Sequence, residues 1–217
     1  NTTGDYNVAL GANALDANTT ADSNVAVGYL ALSANTTGTS NTGVGTNALA
    51  ANTDADNNTA IGLSSMYTNT TGASNTAVGK GALFANTTGD SSVAVGKGAL
   101  EANTTASNNT AVGAGAGDAI TTGAQNTVLG SAALSALTTA TRNTAVGYAA
   151  LEASTNDDNT AVGAFSLWSN TSGYYNVAMG YLAGGAITTS HSNTAIGSFA
   201  LRANTTASYN TAVGTSA

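Results

Sequence analysis

Apolar and small residues return along this chain at a fixed interval. The stretch Asn75-Thr76-Ala77-Val78-Gly79 has close copies beginning at residues 7, 24, 41, 58, 75, 92, 109, 126, 143, 159, 176, 193 and 210. Each step is 17 residues, apart from one of 16 between Asn143 and Asn159. With the opening Asn as position one, position four is always aliphatic: Leu10, Val27, Val44, Ile61, Val78, Val95, Val112, Leu129, Val146, Val162, Met179, Ile196 and Val213. This column predicts the core. Positions one to five are rich in β-branched residues and end in Gly, which predicts a short parallel strand closed by a turn. A period of this size is the mark of a solenoid, whose unit cannot bury its apolar face alone and stacks on its neighbours.

Gly at position five has no exception from Gly11 to Gly214, which implies a positive φ or close approach of the next coil's backbone. Position one, Asn in every copy but Ser92, has two readings: an amide ladder bonding coil to coil, or a turn residue with local hydrogen bonds. Position eight is small (Ala82, Ala99, Ser65), position nine is mostly Leu (Leu15, Leu83, Leu151, Leu201), and position eleven is small. Where position nine becomes Gly117 or Gly184, position twelve becomes Ile120 or Ile187 instead of the usual Asn, a pairing that reads as volume compensation in one cavity. Positions nine and twelve face opposite ways in a regular strand but lie together on a helical turn or bend. The second segment is therefore open between a strand and a short helical turn. Asn-Thr-Thr-Gly, as at Asn69 to Gly72, then reads as a turn. Its first Thr recurs in every copy, from Thr2 through Thr19, Thr36, Thr53, Thr70, Thr87 and Thr104 to Thr205. The shortened copy loses its residue between Ser154 and Asp158, in this loop.

The fold class that follows is all-β: a repetitive β-solenoid, β-roll or parallel β-helix, of 17-residue coils with room for a short helical turn in each. Residues 1–217 read as one continuous segment of about 12 coils, cut in mid-repeat from a longer array because neither end carries a polar cap. Two large apolar side chains per coil do not offset the entropy of ordering so many residues. The thin coil is thus expected to pack against copies of itself, most simply as a homotrimer, or to build a filament.

Composition narrows the functional classes. Charged residues are 7%, against about 25% in ordinary globular chains, yet the strict register argues for order. The net charge of −7, with only Lys80, Lys97, Arg142 and Arg202 as bases, excludes a phosphate-binding groove and hence nucleic acid. Cys is absent, so thiolate metal sites and disulfides are excluded. No apolar run reaches membrane-span length, and no basic and apolar signal opens the chain.

The motif resembles the head repeats of trimeric autotransporter adhesins, as at Asn24-Val25-Ala26-Val27-Gly28 and Ser92-Val93-Ala94-Val95-Gly96. It is also similar to Asn-Thr-Ala-x-Gly arrays of bacterial surface proteins and phage tail fibres, as from Asn143 to Leu151 and at Asn170 to Gly173. The resemblance implies a trimeric, left-handed β-roll at a cell or virion surface, with a structural, adhesive or host-binding role.

Residue chemistry points the same way. His191 lies in the turn with no nucleophile pattern beside it, and the carboxylate pairs Asp54 with Asp56 and Asp157 with Asp158 lack the glycine-rich repeat of calcium-binding β-rolls. No catalytic residue, metal ligand or cofactor is assigned. Aromatics gather at the variable positions and are densest at Phe165, Trp168, Tyr174, Tyr175 and Tyr181, a candidate surface for a glycan, a protein partner or another subunit. The Thr column at Thr19, Thr36, Thr53, Thr70, Thr87 and Thr104 is a candidate ice-binding ladder or a carrier of O-linked sugar, while Asn18, Asn35, Asn86 and Asn204 fit the N-glycosylation sequon. The expectation is an extracellular structural or adhesive fibre segment, with an ice-binding solenoid as the alternative.

Overall fold

The computed structural model describes residues 3–217, so Thr2 lies outside the described residues. The chain divides into two compact units, Asn1–Asn108 and Asn109–Ala217. Each is a parallel β-solenoid with coils of roughly 17 residues and one three-residue strand per coil, and no helix occurs among the described residues. The first unit holds β1 (Val8–Leu10), β2 (Val25–Val27), β3 (Thr42–Val44), β4 (Thr59–Ile61), β5 (Thr76–Val78) and β6 (Val93–Val95). The second holds β7 (Thr110–Val112), β8 (Thr127–Leu129), β9 (Thr144–Val146), β10 (Thr160–Val162), β11 (Val177–Met179), β12 (Thr194–Ile196) and β13 (Thr211–Val213). Within each unit, strands pair in chain order and in register, so that Val27, Val44 and Ile61 stand side by side. The shortened copy keeps this register: Thr144 pairs with Thr160 and Val146 with Val162, and the loop before Asn159 absorbs the missing residue.

The core is not where the aliphatic column predicted it. Strand side chains alternate, and the inward one is position three: Ala26, Ala60, Ala77, Ala94, Ala111 and Ala145 are fully buried. Positions two and four point outward, leaving Ile61 41% and Met179 43% exposed. The inside of so narrow a coil generally has room for a methyl at position three; the exception is Val128, fully buried in the coil that follows Gly117. The bulk comes from position nine, where Leu32, Leu49, Leu83, Leu100, Leu134 and Leu151 are fully buried with Ala at position eight beside them.

The second segment is neither strand nor helical turn. Positions seven and nine take left-handed φ, as at Leu30 (56°) and Leu32 (51°) or Ala149 (51°) and Leu151 (53°). Bulky residues rarely adopt that region. Bonds between coils hold them there: Leu32 N–H donates to Ala48 O at 3.0 Å and Leu83 N–H to Ala99 O at 3.0 Å. The bend places positions nine and twelve together, as the compensation pattern required. A Cβ at Gly184 would lie 2.9 Å from Leu167 Cδ2 and 3.1 Å from Ile187 Cδ1, so Ile187 occupies the space a position-nine Leu would fill.

Two amide columns line the interior. At position one, Oδ1 of Asn24, Asn41 and Asn58 accepts the backbone N–H of Asn41, Asn58 and Asn75, each at 2.9 Å. Its Nδ2 donates to the position-fifteen carbonyl, as from Asn24 to Gly38. Position twelve, expected as a turn residue, is a second buried column: Nδ2 of Asn52, Asn69, Asn86 and Asn103 donates to Oδ1 of Asn35, Asn52, Asn69 and Asn86 at 2.8–2.9 Å. The run ends at Asn103, whose Oδ1 is buried without a partner. In the second unit position twelve is Ile120, Leu137, Ser154, Asn170, Ile187 and Asn204, and the ladder gives way largely to apolar packing. Position-five Gly meets both expected constraints: Gly79 has a φ of 136°, and a Cβ there would sit 2.5 Å from Gly96 O.

Candidate functional site

With cores filled by Leu, Ala and Asn, what each unit offers is its outer columns. One is the outer face of the sheet in each unit. In β2 to β6 it presents Val25 and Val27, Thr42 and Val44, Thr59 and Ile61, Thr76 and Val78, Val93 and Val95. In the second unit the same face carries Thr or Val beside an aliphatic at every rung, from Thr110 and Val112 to Thr211 and Val213. No charged residue occupies either column in any copy.

The Thr column of position thirteen forms a ladder of its own. Hydroxyls of Thr36, Thr53, Thr70 and Thr87 donate to the backbone carbonyls of Thr53, Thr70, Thr87 and Thr104 at 3.0–3.3 Å. Thr19 receives Thr3 N–H on its carbonyl at 2.9 Å. At Thr36, Thr70 and Thr87 the hydroxyl proton is spent on the backbone, while the Thr53 hydroxyl lies between Thr70 O and Asp54 Oδ1. The sequon residues Asn18, Asn35 and Asn86 are fully buried, their amides turned inward.

The carboxylates satisfy backbone donors. Asp56 Oδ1 accepts Thr39 N–H at 2.6 Å and the Thr39 hydroxyl at 3.0 Å, and Asp157 Oδ1 accepts Thr141 N–H at 2.7 Å. Asp22 and Asp90 do the same at the equivalent position for Asp5 and Ala73. Asp158 grips Arg142 through two bonds of 2.7 and 2.8 Å. That contact holds the Asp158 carboxyl below its ordinary value, against an opposing effect of partial burial, and raises the Arg142 guanidinium. Asp54 Oδ1 accepts from the neighbouring Thr53 hydroxyl at 3.1 Å. Sequence reasoning missed this use of position sixteen; the recurrence of Asp, Ser and Thr there was the available signal.

The five aromatics expected as one patch separate into two. Phe165 and Trp168 meet edge to face at 6.0 Å, and Phe165 also contacts Tyr148 at 5.3 Å and Tyr181 at 6.3 Å. Tyr181 continues the row to Phe199 at 5.3 Å, and the Arg202 guanidinium lies over that ring at 5.0 Å. Tyr174 and Tyr175, 5.2 Å apart, belong to a second group in the turn, where Tyr174 stacks on His191 at 4.7 Å and His191 meets Tyr209 edge to face at 5.0 Å. Positions six, seven and ten build the first group and positions sixteen and seventeen the second, which adjacency in sequence does not reveal.

Position ten runs Glu152, Trp168, Gly185, Arg202 through successive coils. The indole Nε1–H donates to Glu152, and Trp168 remains 45% exposed. One coil further on, Gly185 has no side chain, which leaves a shallow notch of about 240 Å³ between Trp168 and Arg202, floored by Leu182, Gly185 and Ala186 with Ser169 at its rim. Arg202 forms no ion pair among the described residues. Among the described residues no group of three or more His, Asp or Glu side chains is placed to hold a metal. Compared with known proteins, the chain matches no protein-family model, no curated protein and no solved structure.

Proposed function

We propose that this chain is a structural or adhesive segment of an extracellular fibre, on a cell or virion surface, built from copies of itself, most simply three, joined through the outer face of the sheet. The observation that supports this reading is the pair of uncharged columns at positions two and four within each unit. A monomer rarely leaves so long an apolar stripe in water. Twelve to fourteen such side chains per unit, each exposing on the order of 50 Å², approach the roughly 800 Å² per partner of a stable interface. A second copy is the matching occupant, because its rungs repeat with the same strand spacing and carry no like charge to repel. Sedimentation of the full chain tests this: a trimer is expected, and Ile61→Lys with Val112→Lys should disperse it while the circular dichroism spectrum stays the same. A wild-type chain that sediments as a monomer at high concentration refutes the reading.

One observation favours an ice-binding role as a second reading. Thr42, Thr59 and Thr76 stand in register on the same flat face as Val44, Ile61 and Val78, a regular array of hydroxyls and methyls. Thermal hysteresis at millimolar protein is the measurement, and its absence removes this reading.

A further inference from the structure

We propose that the notch between Trp168 and Arg202 binds one acidic sugar residue, its ring against the indole and its anionic group on the guanidinium. This gives the adhesive half of the fibre reading a ligand and rests on that reading for its setting. Pockets that hold small polar ligands combine apolar walls with a few placed polar groups, and here both kinds are fixed in advance. The indole is pinned by its bond to Glu152 and by its T-shaped contact with Phe165. The guanidinium is held over Phe199 and has donors free, since a cation–π contact uses its face and not its N–H groups. Pre-positioned groups of this kind lose less entropy on binding.

The spacing selects the size of ligand. Trp168 and Arg202 are two coils apart, about 9.6 Å at the usual strand separation, and the intervening Gly185 is what opens the gap. A volume of about 240 Å³ suits a single pyranose unit of a chain that continues into solvent. Charge selects its kind. A carboxylate or sulfate faces Arg202, while Glu152 on the far side of the indole repels an anion from that direction and so sets the ligand's orientation. Seven of the eleven acidic residues lie before residue 109, so the field opposing an anion is weakest in the unit that carries the notch.

Trp168 is the only tryptophan of the chain, so its emission reports this site alone. The full chain is titrated with a trimer of galacturonic acid, the same trimer as methyl esters, a sulfated galactose trimer, and inorganic sulfate. A saturable change in emission is expected with either acidic trimer, weakened roughly tenfold or more with the esters or in Arg202→Ala. Gly185→Leu, which fills the notch, should abolish it while circular dichroism stays unchanged; Gly185 has no left-handed φ, and the added Cβ, 3.1 Å from Leu182 O and 3.2 Å from Leu182 Cδ2, needs a shift of a few tenths of an ångström that circular dichroism checks. An equal response to the esters, an equal response to sulfate alone, or full affinity in Arg202→Ala or in a folded Gly185→Leu overturns the proposal. So does the absence of any response at millimolar acidic trimer. Sedimentation, which tests pairing of the sheet faces, does not sense the notch, so the two proposals fail separately.

Discussion

Leu83→Ala and Val78→Ala, two truncations in one coil, separate the inward column from the outward one. Leu83 is fully buried in a column with Met66 and Leu100 of the adjoining coils. Removing its isopropyl end leaves a cavity that the stacked coils cannot close, at a cost of about 2–5 kcal/mol. Val78 ends β5 on the outer face and is half-buried. Its two methyls would be worth about 1.6 kcal/mol if wholly withdrawn from water, and partly exposed they are worth less than about 1 kcal/mol. The ratio is the test, since both residues sit in the same coil, between the same flanking coils, and face opposite ways. Chemical denaturation followed by circular dichroism is run at low protein concentration, so that association does not protect Val78. Solenoid coils open locally, so amide exchange of residues 59–112 is measured alongside, with faster exchange around Leu83→Ala expected. Equal or greater destabilisation by Val78→Ala refutes the inward assignment of positions three and nine.

Gly79→Ala should destabilise by several kcal/mol, because a positive φ and a Cβ only 2.5 Å from the next coil's carbonyl oxygen act together; the denaturation midpoint checks it. Asn69→Ala should cost about 1–3 kcal/mol by leaving Asn52 Oδ1 and the Gly72 carbonyl short of a donor in the interior; a surface-like change below about 0.5 kcal/mol would show that the ladder is not structural. Acid titration of the wild type against Asp158→Asn reads the Arg142 contact. Because the folded carboxyl sits below its ordinary 3.8, its stabilisation is complete above that pH and fades as pH falls through the depressed value. The variant should lack this small acid-sensitive component, small because the pair is largely solvated.

Periodicity carried most of the architecture. The 17-residue step, the single strand per coil, the invariant Gly and the loop that absorbs the deletion were all legible, because each follows from a local rule about backbone space. So was the exchange between positions nine and twelve, since Ile187 can replace a lost Leu only if the two share a cavity. The inside and outside of the strand were not legible from hydrophobicity, which ranks Val above Ala and so placed position four in the core. In a coil this narrow, volume decides, and the smallest strand residue goes in. Position twelve misled for a related reason: Asn before Thr-Thr-Gly is chemically a turn residue, and only the stack of identical amides makes burial favourable. The aromatic groups were separated by coil geometry, with Tyr174 and Tyr175 near Trp168 in sequence but on another part of the circumference.

The two kinds of interior explain where each unit can vary. An amide ladder works only if every rung supplies a donor and an acceptor at the same height, and in the first unit position twelve is Asn in five copies running from Asn35 to Asn103, with Asn18 before them turning its oxygen to Ala21 N–H of its own loop. In the second unit that demand lapses, and Ile120, Leu137 and Ile187 fill the space by volume instead. An Asn beside such an interruption turns its oxygen to its own loop, as Asn170 Oδ1 does in accepting Gly173 N–H at 2.8 Å. Apolar packing tolerates unequal rungs better than a chain of hydrogen bonds, and the shortened copy, the aromatic row and the Trp168–Gly185–Arg202 notch all fall in that second unit. If this coupling is causal, Leu at residue 184 should be tolerated only together with Asn at residue 187, because with Ile187 in place the cavity beside Leu167 is already full. Denaturation of Gly184→Leu, Ile187→Asn and the double variant decides it. The double variant should recover most of what Gly184→Leu loses, and strict additivity would mean that residues 184 and 187 do not share a cavity.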